Sequence, residues 1–158
     1  MLVKYLIVAL ISMVPLVELR GAIPYAAYLG LPLINSYIVA VIGNMIPVPF
    51  IYLFARKVLE WGKDKKYIGP FFRFCLTKGE KAGAKLMEKA GHGVFLALLL
   101  FVGIPLPGTG AWTGTLGASM LDLGFKKSSI AVMLGVLLAG IIMLAASTGV
   151  LKDRKSVV

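Results

Sequence analysis

Thirty-four consecutive residues, Ala22 to Ala55, carry no charged side chain. A soluble domain carries a charge at roughly every fourth position, and a straight helix crosses a bilayer with ~20 apolar residues. The charges the chain does have are segregated. Of its 17 Lys and Arg and 7 Asp and Glu, ten basic and four acidic residues lie between Arg56 and Lys89. With 59% apolar residues and a mean hydropathy of +0.89, the 158 residues read as an all-α integral membrane protein, a single membrane domain over residues 1–158. The net charge of +10 is then a topology signal rather than a nucleic-acid surface, and no nucleic-acid partner is expected.

Side chains for soluble chemistry are scarce. Cys75 is the single cysteine and His92 the single histidine, so neither an internal disulfide nor a zinc or iron site can be built from them. His92, between Gly91 and Gly93, reads as a loop residue at a membrane boundary. Phosphate-binding, dinucleotide-binding and zinc-protease motifs are absent from the sequence, and no nucleophile–base pair is evident. The chain is not expected to be an enzyme, and no catalytic residue, cofactor or metal is expected.

Residues 1–17 are apolar, with Lys4 near the start, and resemble a signal peptide. Glu18 and Arg20 occupy the place of a small-residue cleavage site, so the segment reads as a retained membrane element. Gly21, Pro24, Gly30 and Pro32 interrupt the first part of the uncharged run. Asn35 or Ser36 is expected to cap a helix from Tyr37 to about Ala55, kinked at Gly43, Pro47 and Pro49. Residues 56–93 form a basic connector, cytoplasmic by the positive-inside rule. Within it Tyr67, Phe71, Phe72 and Phe74 suit the headgroup zone. Lys78, Lys81, Lys85 and Lys89 make one stripe of a surface helix, facing anionic lipid headgroups. Ser128 or Ser129 is expected to cap a last helix ending near Leu151.

The two apolar parts share one plan, residues 1–55 as a first repeat and 94–158 as a second. Each has an apolar arm, Tyr5–Val17 or Val94–Pro107, then a Gly/Pro break, a second short arm and a long helix. Gly21-Ala22 matches Gly110-Ala111, and Gly43 matches Gly135. Arms of this length rise ~20 Å against a ~30 Å hydrocarbon core. Paired interrupted segments in corresponding halves point to a transporter site. The expected fold is therefore an inverted repeat of two re-entrant helical hairpins, each followed by a transmembrane helix. The alternative is four kinked full spans. Re-entrant hairpins put the basic connector and Lys126-Lys127 on one side; four spans put them on opposite sides.

Glu18 and Arg20 lie at the first break, deep in apolar sequence, where a charge costs ~2.5–3.5 kcal/mol on insertion scales. Such residues are functional candidates. Two positions apart on a regular helix, they point to nearly opposite faces; they can pair directly where the backbone is unwound, and otherwise each needs a partner elsewhere or a wet cavity. A short helix is expected to begin near Ala22–Pro24 and another near Thr109–Ala111, each aiming free N–H groups at the cavity. Those ends and Arg20 favour an anion, while Glu18 could carry a proton. Pro105, Pro107, Gly108 and Gly110 hold the second break open, Thr109 and Thr113 offer hydroxyls, and Trp112 offers a flat face with one donor. Asn44 could line the same cavity. Gly135, Gly140 and Ala145-Ala146 could form a close helix contact in a homodimer.

The runs from Glu18 to Pro24 and from Ile104 to Gly114, the latter including Pro-Leu-Pro-Gly-Thr-Gly-Ala-Trp-Thr-Gly, resemble the small multidrug-export protein family over nearly the whole chain. That family looks like a distant relative of the DedA/VTT superfamily. The resemblance implies re-entrant hairpins in an inverted repeat and movement of lipid phosphates or drugs with protons. Glu18 then corresponds to the acidic residue before the first break and Pro24 to its proline; Arg20 departs from the DedA spacing, and the second break lacks a charged side chain. The expectation is a multi-pass secondary transporter of the cytoplasmic membrane, moving an anionic amphipathic or lipid-phosphate substrate with proton coupling. Export of cationic drugs through Glu18 is one alternative, and a non-transporting scaffold working through the basic connector is another.

Overall fold

The computed structural model describes residues 1–90, 93–106 and 108–156. His92 and Pro107 lie outside the described residues, as do the side chains of Lys85 and Lys89 in the proposed stripe. The described residues are helical, with no strand among them.

The proline-preceding residues set the first breaks. α1 (Leu2–Met13) ends at Val14, which takes an extended conformation (ψ 131°) before Pro15. α7 (Val94–Gly103) ends at Ile104, extended in the same way (ψ 120°) before Pro105. Proline's ring disfavours the helical conformation at the residue before it. The first break therefore comes earlier than the sequence implied. α2 (Glu18–Tyr28) begins at Glu18 itself, and Gly21 and Pro24 lie inside it. The backbone reverses through Leu16 and Glu18, both at positive φ (71° and 54°). The second short helix, α8 (Ala111–Met120), begins where expected.

α2 and α8 end alike. Gly30 and Leu31 N–H groups bond back to the Ala27 and Ala26 carbonyls, and those of Asp122 and Leu123 to Ser119 and Ala118. This is the Schellman arrangement, with a left-handed residue just past the helix. The long helices then start before their expected caps. α3 (Leu33–Met45) follows Pro32 with no side-chain cap; the Ser36 hydroxyl instead donates back to the Pro32 carbonyl (2.9 Å). α9 (Phe125–Ser156) starts after Gly124, leaving Ser128 and Ser129 inside the helix. α3 runs on through α4 (Pro47–Phe50), a π-helical turn over Ile51–Ala55 and α5 (Arg56–Gly62). A π turn loosens the carbonyl ladder; here Ser119 of α8 donates to the Tyr52 carbonyl (2.7 Å).

Two stretches, Leu33–Ala55 and Phe125–Asp153, are long and apolar enough to cross a membrane. Their outer faces fit that environment. Ile34, Ile38, Ile42, Ile46 and Phe50 repeat every fourth residue and are all exposed, a stripe that water would not tolerate and lipid does.

Small residues let the short arms sit tightly on the long helices. A Cβ on Gly43 would lie 2.6 Å from the Ala9 carbonyl oxygen of α1, and one on Gly135 would lie 2.7 Å from the Leu99 carbonyl oxygen of α7. Gly140 faces Tyr37 of α3. Gly135 and Gly140 are thus used within the chain rather than in the subunit contact the sequence offered. α2 packs against α9, and α8 against α4 and the π turn, so each short helix touches the long helix of the other part. Val94 and Phe95 of α7, Leu123, and Lys127 of α9 line one cavity, while at the far end Gly103 faces Leu138. α7 therefore runs parallel to the first half of α9, and the chain from α7 through α8 folds back to where it began.

α6 (Gly69–Ala90) covers α8. It starts at the Gly69-Pro70 step and takes in Phe71, Phe72 and Phe74 of the aromatic patch and the first lysines, with Tyr67 in the turn before it. Gly79 sits against Leu116 and Met120, and Gly83 against Leu121, while Lys78 and Lys81 stay exposed.

Candidate functional site

The two breaks meet, and the charges of the first satisfy the backbone of the second. Glu18 is buried, with 3% of its surface exposed. Its carboxylate accepts the Ala111 N–H at Oε2 (3.2 Å) and the Trp112 N–H at Oε1 (3.0 Å). These are the first two N–H groups of α8, which lack acceptors inside the helix. The carboxylate also meets the positive end of the α8 dipole. Gly110 makes the approach possible. It takes φ +127°, and a Cβ there would stand 2.5 Å from Glu18 Oε2.

Arg20 works at the opposite end of the same break. Its guanidinium donates to the carbonyls of Leu106 (2.8 Å), Val102 (3.2 Å) and Ile104 (3.3 Å), and to Thr109 Oγ1 (2.9 Å). Val102 belongs to the last turn of α7, whose carbonyls have no donor within the helix. The Thr109 hydroxyl lies within hydrogen-bond distance of the Leu106 (2.7 Å) and Ile104 (3.0 Å) carbonyls, and its proton can serve one of them. One link runs the other way, as the Trp112 indole N–H donates to the Met13 carbonyl at the end of α1 (3.1 Å). Glu18 and Arg20 thus take separate hydrogen-bond partners, the second of the two arrangements their spacing allowed, and those partners lie at helix ends and in the loop between them.

Glu18, Arg20, Thr109, Gly110 and Trp112 therefore form one centre, with half-buried Pro105 and exposed Gly108 in the loop beside it. Thr113 lies partly buried in the first turn of α8. Gly21 lies in α2 against its own Val17. Pro24 lies on the outer side of α2, in a groove with Tyr28, Met143 and Ser147, and not at the break; the early start of α2 carries it a turn and a half along the helix. Asn44 is buried in α3 with its Oδ1 unpartnered among the described residues; its side chain has no hydrogen bond to the centre among the described residues. The expected cavity with free α8 N–H groups is filled by Glu18 in this state.

The sequence assigns Lys78 to the stripe facing lipid headgroups, not to the breaks. The α6–α8 packing carries it to the second break, where a Cβ on Gly108 would lie 3.6 Å from its Nζ. Only the register fixed by Gly79 and Gly83 against α8 tells Lys78 apart from the other lysines of its stripe.

Residues 18–142 match the family described as "Putative small multi-drug export protein". The chain belongs to this small multidrug-export family. The match starts at Glu18, where the first break ends, and covers the whole of the second. No curated protein and no solved structure matches the chain. As a member of the small multidrug-export family, with two membrane-length apolar helices, the chain is a membrane protein, and its family points to transport.

Proposed function

We propose that the protein is a multi-pass secondary transporter of the cytoplasmic membrane that moves an amphipathic substrate with an anionic head, coupled to a proton on Glu18. The observation that carries this reading is the Glu18 carboxylate seated on the first two N–H groups of α8. It sits where the head of a carboxylate or phosphate substrate would bind. When a proton adds to a Glu18 oxygen, the charge that holds the two donors is gone, and the N–H groups can pass to the substrate head. Arg20 keeps the end of α7 closed during the exchange, and Lys78 supplies a second cation beside Gly108.

In this reading the short helices are re-entrant arms of an inverted repeat. Several features support it. Val94 and Lys127 share one cavity, which favours hairpins over four full spans, because those spans would separate the connector from Lys126-Lys127. Corresponding positions play corresponding parts: Val14 and Ile104 before their prolines, Gly30 and Asp122 past the short helices, Gly43 and Gly135 under the first arms. The basic connector then lies in the cytoplasm, its exposed lysines against anionic headgroups.

The test is transport in proteoliposomes with a fluorescent phosphatidic acid and, separately, ethidium as probes. An inward or outward proton gradient should drive the phosphate-headed probe. Glu18→Gln should abolish the response to the gradient while leaving probe-for-probe exchange. Movement of ethidium alone, lost in Glu18→Gln, would overturn the anion reading in favour of cation export.

A further inference from the structure

A second polar site stands at the other end of α7. The ten residues of α7 span ~15 Å at the usual helical rise, so this site is distinct from the centre at the breaks. It is a cavity of about 240 Å³ between the starts of α7 and α9, the size of a headgroup rather than of a whole drug-sized ligand. Phe95, Leu98 and Leu123 form its apolar walls, and Lys127 and Ser128 its polar side.

Three features there favour negative charge. α7 and α9 both present their N-terminal turns, where N–H groups lack helical acceptors and the dipoles are positive. Lys127 adds a full positive charge at the rim. The Ser128 hydroxyl is the most specific feature. Ser128 is 2% exposed, yet its Oγ has no hydrogen-bond partner among the described residues. A buried hydroxyl is ordinarily satisfied. At the corresponding place in the first part of the chain, Ser36 satisfies its hydroxyl on Pro32 one turn back. Ser128 lines the cavity with its hydroxyl unpartnered. Asp122, the acid of the preceding turn, is exposed and does not line it.

We propose that this cavity binds the phosphate or carboxylate head of an amphiphilic anion, with Lys127 pairing the charge, the Ser128 hydroxyl donating to one oxygen, and the attached chain leaving over Phe95 and Leu123. The head belongs either to a membrane lipid or to a free phosphate. The proposal does not rest on the transport reading, since binding is read without transport.

Full-length protein in nanodiscs of neutral lipid is titrated with dodecyl phosphate, with inorganic phosphate and with dodecyltrimethylammonium, and binding is followed by ³¹P line broadening and by thermal shift. Dodecyl phosphate should bind and dodecyltrimethylammonium should not. Lys127→Ala should weaken binding about tenfold or more, the range for losing a charge-assisted bond. Ser128→Ala, which removes only the hydroxyl oxygen, should weaken it by a smaller factor without lowering the melting temperature. Lys152→Ala, at the far end of α9, should change nothing. Displacement of the amphiphile by inorganic phosphate marks a phosphate site, and failure of displacement marks a lipid site. Equal affinity in wild type, Lys127→Ala and Ser128→Ala, or equal binding of the cationic amphiphile, overturns the proposal.

Discussion

Replacing Glu18 with alanine removes one side chain and uncaps a helix in the other part of the chain. The carboxylate holds two N–H groups, one of them on fully buried Ala111. A hydrogen bond to a charged group contributes about 1.5–3 kcal/mol, and an orphaned buried donor costs a similar amount. Relief from burying the carboxylate offsets part of this. The net loss should be about 2–4 kcal/mol, which for a chain of this length lowers the melting temperature by roughly 4–16 °C. Glutamine, which keeps one acceptor oxygen but turns an amide N–H₂ toward the second donor, should fall between wild type and alanine.

The loss should be repairable, because alanine leaves a gap shaped like the removed carboxylate. Propionate added at high millimolar concentration should raise the melting temperature of Glu18→Ala more than that of wild type, and propionamide should not. Melting is read by intrinsic fluorescence in detergent, where Trp112, the neighbour of the gap, also reports the rescue. The reasoning fails if Glu18→Ala melts with wild type, or if propionate stabilises both proteins equally.

Two further outcomes follow from the same geometry. Gly110→Ala puts a Cβ at a positive φ and within 2.5 Å of the Glu18 carboxylate, so it should destabilise by about 2–4 kcal/mol. Gly30→Ala, also at positive φ but with open space around it, should cost only about 1 kcal/mol, and the difference in melting temperature between the two measures the clash. Burial raises the pKa of the Cys75 thiol, so less thiolate is present near neutral pH; maleimide labelling should be slow there and should keep accelerating at a pH where an exposed thiol has already levelled off.

Much of this arrangement was legible in the residues, because charge depth and proline placement are local signals. Glu18 and Arg20 stood out by their position in apolar sequence. Pro105 and the following glycines marked the second break within a few residues. Pro15 carries the same information for the first break, but Gly21 and Pro24 are the more conspicuous helix breakers in the sequence, and a proline six residues into α2 is compatible with a helix. The partners of Arg20 were not legible, since they are backbone carbonyls, which every residue possesses. Nor was the reach of Lys78, which depends on how Gly79 and Gly83 seat α6 on α8. The apolar period of the long helices gave their existence but not their starts, because Pro32 and Gly124 begin them without the Ser and Asn caps that usually mark such ends.

The placement of Glu18 and Arg20 bears on how the two parts of the chain communicate. A break in an apolar helix exposes donors on one side and acceptors on the other, and in lipid neither can turn to water. A chain could satisfy each break with its own side chains, and the two parts would then be free to move apart. Here the second break carries no charged side chain and is closed by the first, at both of its ends, while among the described residues the second returns the Trp112 indole N–H to the Met13 carbonyl. Opening the centre must therefore orphan backbone groups on the second break whichever part moves, and the carboxylate is the one member of the clasp that a single proton can neutralise. In the transport cycle proposed above, a substrate with an anionic head would compensate that opening, because it would offer α8 the same two-oxygen acceptor that Glu18 withdraws.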